Sequence, residues 1–273
     1  MEMLNIRGKL FSLEKPVIMA ILNVTPNSFF DGGKYISEKE IINKTKEYLE
    51  QGASIIDIGG CSTKPGSLPP SIDKEVERIK IGLKAISKEF PEAIISIDTF
   101  RAEVAKVAND FGASIINDIS GGSLDSKMFQ AAADLKMPYI LMHIKGTPAD
   151  MQINPIYDNC TAEVAYYFSE KIAKLIELGV KDIILDPGFG FGKTLDHNFE
   201  LLQNLNFFAE LGYPVLAGVS RKSMISKTLN IKTEDSLNGT TVLNAIALQK
   251  GAKILRVHDV WAAKQAIELL QKL

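Results

Sequence analysis

Gly52-Ala-Ser-Ile-Ile-Asp57 returns sixty positions later as Gly112-Ala-Ser-Ile-Ile-Asn117. In each copy a glycine leads a short apolar run that ends on a polar side chain. Glycine is the usual residue just past a helix C-terminus, because it accepts left-handed backbone there. A continuous apolar run of this length reads as a strand covered on both faces. The repeat distance equals about two strand–helix units of ~30 residues each.

The same punctuation extends in both directions. The runs 53–58, 113–116, 180–185 and 252–255 follow Gly52, Gly112, Gly179 and Gly251, while 17–22, 93–97, 139–142 and 215–218 follow Pro16, Pro91, Pro138 and Pro214. Proline is tolerated at a strand start, where no ladder donor is lost. Between runs, Ile72, Val76, Ile79, Leu83 and Ile86 step at helical spacing, as do Val164, Phe168, Ile172 and Leu175. Strict alternation predicts a parallel sheet. Eight units predict a TIM (β/α)8 barrel, one domain over residues 1–273, rather than an open sheet of five or six strands. The runs end on or lead into Asn23, Asp57, Asp98, Asn117, His143, Asp186, Ser220 and Arg256. In a closed barrel these ends share one mouth, where catalytic groups of this architecture sit. Three long connections, 25–37, 59–71 and 145–159, leave the first, second and fifth strands on that side and read as lids.

Composition narrows the function classes. A formal net charge of −2 gives no basic surface for nucleic acid or anionic lipid. Cys61 and Cys160 form no CxxC pair, which argues against a disulfide framework and a zinc knuckle. The first sixteen residues carry Glu2 and Glu14 and lack the apolar core of a signal peptide. No run approaches the ~20 apolar residues of a membrane span. A soluble, cytoplasmic chain is expected.

The polar ends suggest chemistry. In Asp186-Pro-Gly-Phe-Gly-Phe-Gly-Lys193 the glycines would let backbone approach a flat ligand, Phe189 and Phe191 would stack on a ring, and Asp186 would accept two parallel N–H bonds. A tight turn with core phenylalanines reads equally well. Asp98 and Asn117 on neighbouring strands suit the donors and acceptors of a heterocycle. Helix capping is the competing reading, favoured for Asp118 and weaker for Asp98, because Thr99 can cap. Arg221 and Lys222 stand at a helix mouth, a place for cations only if an anion or electron-rich acceptor lies beside them. Arg256 and His258 fall on one side of the last strand and suit a phosphate; alternatively Arg256 pairs with Asp259. Asn23 offers an oxygen to Mg2+ beside a diphosphate. The histidines 143, 197 and 258 are scattered, which argues against zinc or non-haem iron, and His143 reads as a supporting group. GxSxG, P-loop and GxGxxG fingerprints are absent.

Eight runs in this order resemble the dihydropteroate synthases, pterin-binding enzymes of folate synthesis. They are Ile21-Leu-Asn-Val-Thr-Pro-Asn-Ser-Phe29, Asp57-Ile-Gly-Gly-Cys-Ser-Thr-Lys-Pro-Gly66, Ser96-Ile-Asp-Thr99, Ile116-Asn-Asp-Ile-Ser-Gly-Gly122, Leu141-Met-His143, the Asp186–Lys193 run, Ser220-Arg-Lys-Ser-Met224 and Arg256-Val-His-Asp-Val260. The resemblance implies condensation of p-aminobenzoate with 6-hydroxymethyl-7,8-dihydropterin diphosphate, giving 7,8-dihydropteroate and pyrophosphate. It implies Asp98, Asn117, Met142, Asp186 and Lys222 around the pterin. It implies Phe29, Thr63, Lys64, Pro65, Phe191 and Ser220 around p-aminobenzoate. Asn23, Arg256 and His258 would hold the diphosphate, with Mg2+ on Asn23, and Asp98, Lys222, Arg256 and His258 would be catalytic. A homodimer is implied, with apolar faces at 242–248 and 261–270 available. The chain departs from the family pattern at Cys61, at Asn27 where aspartate is common, and at Lys64 where arginine is common; lysine keeps the charge without the planar fork. The competing readings are a pterin-dependent methyltransferase, which shares the barrel and the pterin clamp, and a paralogue that binds pterin without turnover.

Overall fold

The computed structural model describes residues 2–25, 37–61 and 68–273. Two antiparallel strands come first, β1 (Met3–Ile6) and β2 (Lys9–Ser12). Eight parallel strands then close into a barrel: β3 (Val17–Asn23), β4 (Ile55–Gly59), β5 (Ile94–Asp98), β6 (Ile115–Asp118), β7 (Tyr139–Met142), β8 (Ile183–Asp186), β9 (Val215–Ala217) and β10 (Ala252–Val257). Neighbours in sequence are neighbours in the sheet, and β10 closes the ring against β3. The barrel expected from the punctuation is the one observed.

Helices cover the outside. The stripe on helix Ile72–Glu89 buries Ile79, Leu83 and Ile86, whereas Ile72, in its first turn, stays 37% exposed. Helix Cys160–Glu177 buries Val164, Phe168, Ile172 and Leu175, all four positions of its predicted stripe. Two connections hold more than one helix: Leu195–Gln203 is followed by Leu205–Ala209, and Ser223–Leu229 by Leu237–Gln249. Glycine suits position 112 on two counts: its backbone is left-handed (φ +108°), and a Cβ there would lie 2.2 Å from Ser87 Oγ.

The barrel interior changes character in a single step along the strands. Near their starts the inward positions are Met19, Ile55, Ile115, Ile140, Ile184, Leu216 and Ile254, one apolar layer. Side chains two residues apart share a face. Two residues further on, the same strands therefore present Ile21, Asp57, Asn117, Met142, Asp186, Gly218 and Arg256, and Ser96 on β5 joins this level as the register partner of Asp57.

The apolar layer is sealed from below by the N-terminal segment, which the sequence reading treated only as a non-leader. Arg7 and Gly8 both have positive φ (52° and 80°), as a two-residue hairpin turn of the I′ type requires. The hairpin places Leu4 and Ile6, with Leu13 after it, against Met19, Ile55, Ile115 and Ile254. No helix among the described residues is long and apolar enough to cross a membrane.

Leu4 is fully buried in this plug. Leu4→Ala is expected to lower the unfolding free energy by about 2–5 kcal/mol, the usual range for emptying a buried leucine site. Urea denaturation measures it, and unchanged stability would mean that the hairpin does not close the barrel.

Candidate active site at the strand ends

Arg256 reaches across the barrel mouth from β10. Its Nε donates to Asp57 Oδ2 on β4 (2.7 Å) and its Nη2 to Asp98 Oδ2 on β5 (2.7 Å). Asp57 Oδ2 also accepts from Asn117 Nδ2 on β6 (3.0 Å). One guanidinium thus ties three strands' polar ends together, and the pairing of Arg256 with Asp259 does not occur. Asp259 is held instead by a two-pronged contact from Arg221 Nε and Nη2 (2.8 Å each). This gives the Arg221 cation a partner that the sequence reading left open. Against the cost of burial, Asp57 and then Asp98 hold Arg256 above its usual range, so it stays charged. Burial pushes Asp98 above its usual range, with Arg256 opposing and Asp57 adding to the rise.

Asn23 and Asp98 both border Gly59: a Cβ there would meet Asp98 Cβ at 3.4 Å and Asn23 Oδ1 at 3.5 Å, ordinary van der Waals contact. Asp57 Oδ1 and Ser96 Oγ, register partners on β4 and β5, are buried without a hydrogen-bond partner. Asp57 was counted among the polar strand ends but given no role. Its signal was present in sequence, an acidic residue inside the apolar run of β4.

The β8 end divides its two phenylalanines. Phe189 packs into the outer core with the helices. Phe191 joins Ile119, Met142, Ile144 and Met151 in a separate apolar patch at the mouth. Phe189 therefore fits the core reading, whereas Phe191 lies apart from that core in the patch at the mouth. Lys222 Nζ lies over the Phe191 ring, 4.3 Å from its centre. Burial, then the neighbouring Arg256 charge, brings Lys222 down to about 8, with Asp186 and Asp98 opposing. Asp186 accepts from Gly188 N (2.8 Å) and is pushed above its usual range by burial. The loop glycines serve a closer approach than the one expected. Gly188 and Gly192 sit so tightly that a Cβ would come within 2.0 Å of His143 O and 2.3 Å of Lys145 O. That approach is to the backbone after β7.

On the remaining side Ser220 Oγ lies 3.1 Å from His258 Nδ1 and accepts from His258 N (3.2 Å). Ser220, expected beside p-aminobenzoate, and His258, expected beside the diphosphate, are therefore in contact. His258 is exposed at the rim. The enclosed part of its surroundings, then Arg256 and further cations, keep its imidazole below its usual range. Asp118 caps no helix. It accepts from Ser120 N and Oγ, Gly122 N and Tyr139 Oη, and so knots the loop after β6. Thr99 Oγ1 donates to Glu75 (2.7 Å) and accepts from Arg101 N (3.2 Å) at the start of helix Ala102–Asp110, where Asp125 accepts from Ala102 N (2.8 Å). His143 is a supporting group, as read from sequence, and its partner is the buried Lys193, a residue the sequence reading passed over. Phe29, Thr63, Lys64 and Pro65 lie outside the described residues. Among the described residues no cluster of three or more His, Cys, Asp or Glu side chains forms a metal cage.

Residues 19–258 match the family model for pterin binding enzymes. The dihydropteroate synthase of Escherichia coli (strain K12) is 42% identical over 267 residues, 97% of this chain and 94% of that relative. The Yersinia pestis dihydropteroate synthase, solved with a sulfonamide drug complex, superposes with a TM-score of 0.93 at 37% identity and covers 99% of this chain and 98% of its own. The Xanthomonas albilineans dihydropteroate synthase with 4-aminobenzoic acid gives 0.92 at 36% identity, over 99% and 97%.

Asp57→Asn removes the carboxylate that two neighbours share. Breaking a buried ion pair costs about 3–5 kcal/mol, and the loss here is expected at or below that range because Asp98 retains Arg256. Guanidinium denaturation of the two proteins gives the difference; a variant as stable as the parent would show that Arg256 does not depend on Asp57.

Proposed function

The chain belongs to the family of pterin-binding enzymes, and from that membership and the make-up of the barrel mouth we infer that it is a dihydropteroate synthase. It joins p-aminobenzoate to 6-hydroxymethyl-7,8-dihydropterin diphosphate and releases pyrophosphate. The observation that carries this reading is the composition of the mouth. A polar floor of Asp57, Asp98, Asn117, Asp186 and Arg256 adjoins an apolar patch of Met142 and Phe191, with Lys222 over the ring. A flat heterocycle rich in donors and acceptors needs both.

The roles within the mouth follow from their chemistry. Asp186, with one oxygen on Gly188 N, offers the other to paired N–H groups on one ring edge. Lys222 donates to an acceptor on the ring, and Asn117, one of whose Nδ2 hydrogens goes to Asp57, presents its amide oxygen. Met142 covers a face of the ring, in the apolar patch whose Phe191 is left to the arylamine. The bond from the pterin methylene to oxygen breaks with its electron pair leaving on pyrophosphate. Asp98 offsets the positive charge left on the ring. Arg256 spends Nε and Nη2 on carboxylates, and its Nη1 makes no hydrogen bond with a described residue, so that edge serves the departing pyrophosphate. His258, kept below its usual range, is a neutral donor or acceptor at the rim near pH 7. The neutral arylamine attacks the methylene carbon and gives up a proton to solvent, so no nucleophile–base pair is needed. Phe191 and Ser220 would line its pocket, to which the family resemblance adds Phe29, Thr63, Lys64 and Pro65, and sulfonamides would compete there.

Asn23 contributes one side-chain oxygen near Asp98, and among the described residues no cluster of His, Cys, Asp or Glu forms a metal cage. That donor set fits Mg2+ taking most of its ligands from diphosphate and water. When bound, the ion would neutralise charge on the leaving group. The chain would act as one domain over residues 1–273 in the cytoplasm, consistent with two buried cysteine side chains. A homodimer is supported by the exposed Val242, Trp261 and Leu269 on the last two helices.

The first test is pyrophosphate release from the pterin diphosphate. Release that depends on p-aminobenzoate, forms dihydropteroate and stops on chelation of Mg2+ is expected. Tight binding without release would identify the non-catalytic paralogue instead. A second outcome concerns pH. Lys222 is a donor with full charge below about 8, so kcat/KM for the pterin diphosphate should fall as pH rises through that value. Lys222→Met should be slow throughout and lack this limb; its persistence would assign the limb elsewhere.

A further inference from the structure

Lys193 is a buried titratable group that the reaction leaves without a task. It is 3% exposed, yet no carboxylate bonds it. Its Nζ lies 2.9 Å from His143 Nδ1 and donates to Phe191 O (2.9 Å) and His143 O (3.3 Å). A buried amine without a counter-charge is unfavourable, and burial brings it down to about 7. A methionine would fill similar space without that penalty, so the hydrogen bonds are the reason to look for a role.

The three acceptors come from two segments, the one after β7 and the glycine-rich one after β8. These segments also meet at Gly188 and Gly192, where no Cβ fits. Three successive carbonyls of the β8 segment are each taken by a side chain. Gly190 O accepts from Gln152 Nε2 (2.6 Å), Phe191 O from Lys193, and Gly192 O from Tyr157 Oη (2.7 Å). Gln152 is exposed and Tyr157 half-buried, so Lys193 is the enclosed member of this set. The residue whose carbonyl it holds is the one whose ring enters the mouth, beside Met142 and under Lys222.

We propose that Lys193 is a positioning residue for the condensation: by holding the Phe191 carbonyl against the β7 segment through His143, it sets the Phe191 ring where the arylamine must approach. The proposal rests on the reading of the mouth given above. It assigns Lys193 no contact with either substrate, only control of the surface that one of them meets. A misplacement of about 1 Å at such a surface can cost up to about a hundredfold in rate.

The test is a double-mutant cycle on the full-length enzyme with both substrates varied. Lys193→Met should raise KM for p-aminobenzoate about tenfold or more and leave KM for the pterin diphosphate within about twofold. Phe191→Ala should show the same pattern, and the double variant should be no worse than Phe191→Ala alone, because the lysine acts through that ring. Losses that multiply, an unchanged KM for p-aminobenzoate, or equal losses for both substrates with a fall in Tm would overturn the assignment and leave Lys193 a packing residue. Should Lys193→Met not fold, Lys193→Gln, which keeps a donor, carries the same cycle. Absence of p-aminobenzoate-dependent turnover in the parent enzyme would refute the reading of the site itself, a result separate from any of these.

Discussion

The upper half of the barrel depends on one charge, the guanidinium of Arg256 lying between Asp57 and Asp98. Two carboxylates on adjacent strands, both inside the barrel, repel each other and lose hydration. A shared cation removes the repulsion and supplies directed hydrogen bonds of 2.7 Å to each. Such a triad adds little net stability over an apolar core, but it does something an apolar core cannot. It keeps acceptors and donors dry, fixed and available at the strand ends. The same cation also bears on Asp186 and Lys222, so the ionisation of the mouth behaves as one system.

That system stands on an apolar floor. Between Ile254 and Arg256, Ile55 and Asp57, or Ile184 and Asp186, the inward face passes from hydrocarbon to charge within two residues. Below the step, the hairpin of β1 and β2 presses Leu4 and Ile6 into the barrel and excludes water from that end. Folding stability and chemistry are thereby placed at opposite ends, the usual division in this architecture. Substitution at one end can change binding without disturbing the closure that holds the other.

Close backbone approach is the second constraint. Gly188 and Gly192 let the β8 segment lie against the carbonyls after β7. These glycines are needed for space as well as for backbone conformation, since Gly188 and Gly192 also have φ of +71° and +63°. The result is a rigid wall with Phe191 on its face and Lys193 behind it. The wall belongs to the apolar side of the mouth, opposite in character to the Arg256 triad, and an aromatic heterocycle meets both.

Local features of the chain determined the eight barrel strands, their alternation with helices, the parallel barrel and the polar residues at the strand ends, but not the hairpin that closes its floor. Periodicity, glycine after a helix and proline before a strand are short-range effects, legible without knowing what lies across the barrel. The positions of Asp98, Asn117, Asp186, Lys222 and Arg256 in one mouth followed from closure alone. Which of them touch did not follow. Arg256 meets Asp57 and Asp98 at sequence separations of 199 and 158, and Asp259, the nearby partner considered for it, goes to Arg221. Asp118 knots a loop where capping was expected, Phe189 and Phe191 part ways, and Lys193 finds His143. These outcomes depend on strand register, on the tilt that a closed barrel imposes and on which polar atoms lose water, and none of those quantities is carried by a run of ten residues. Chain pattern therefore determined where the chemistry lies, and only the tertiary structure decided how its charges are paired, because pairing is settled by distances across the barrel.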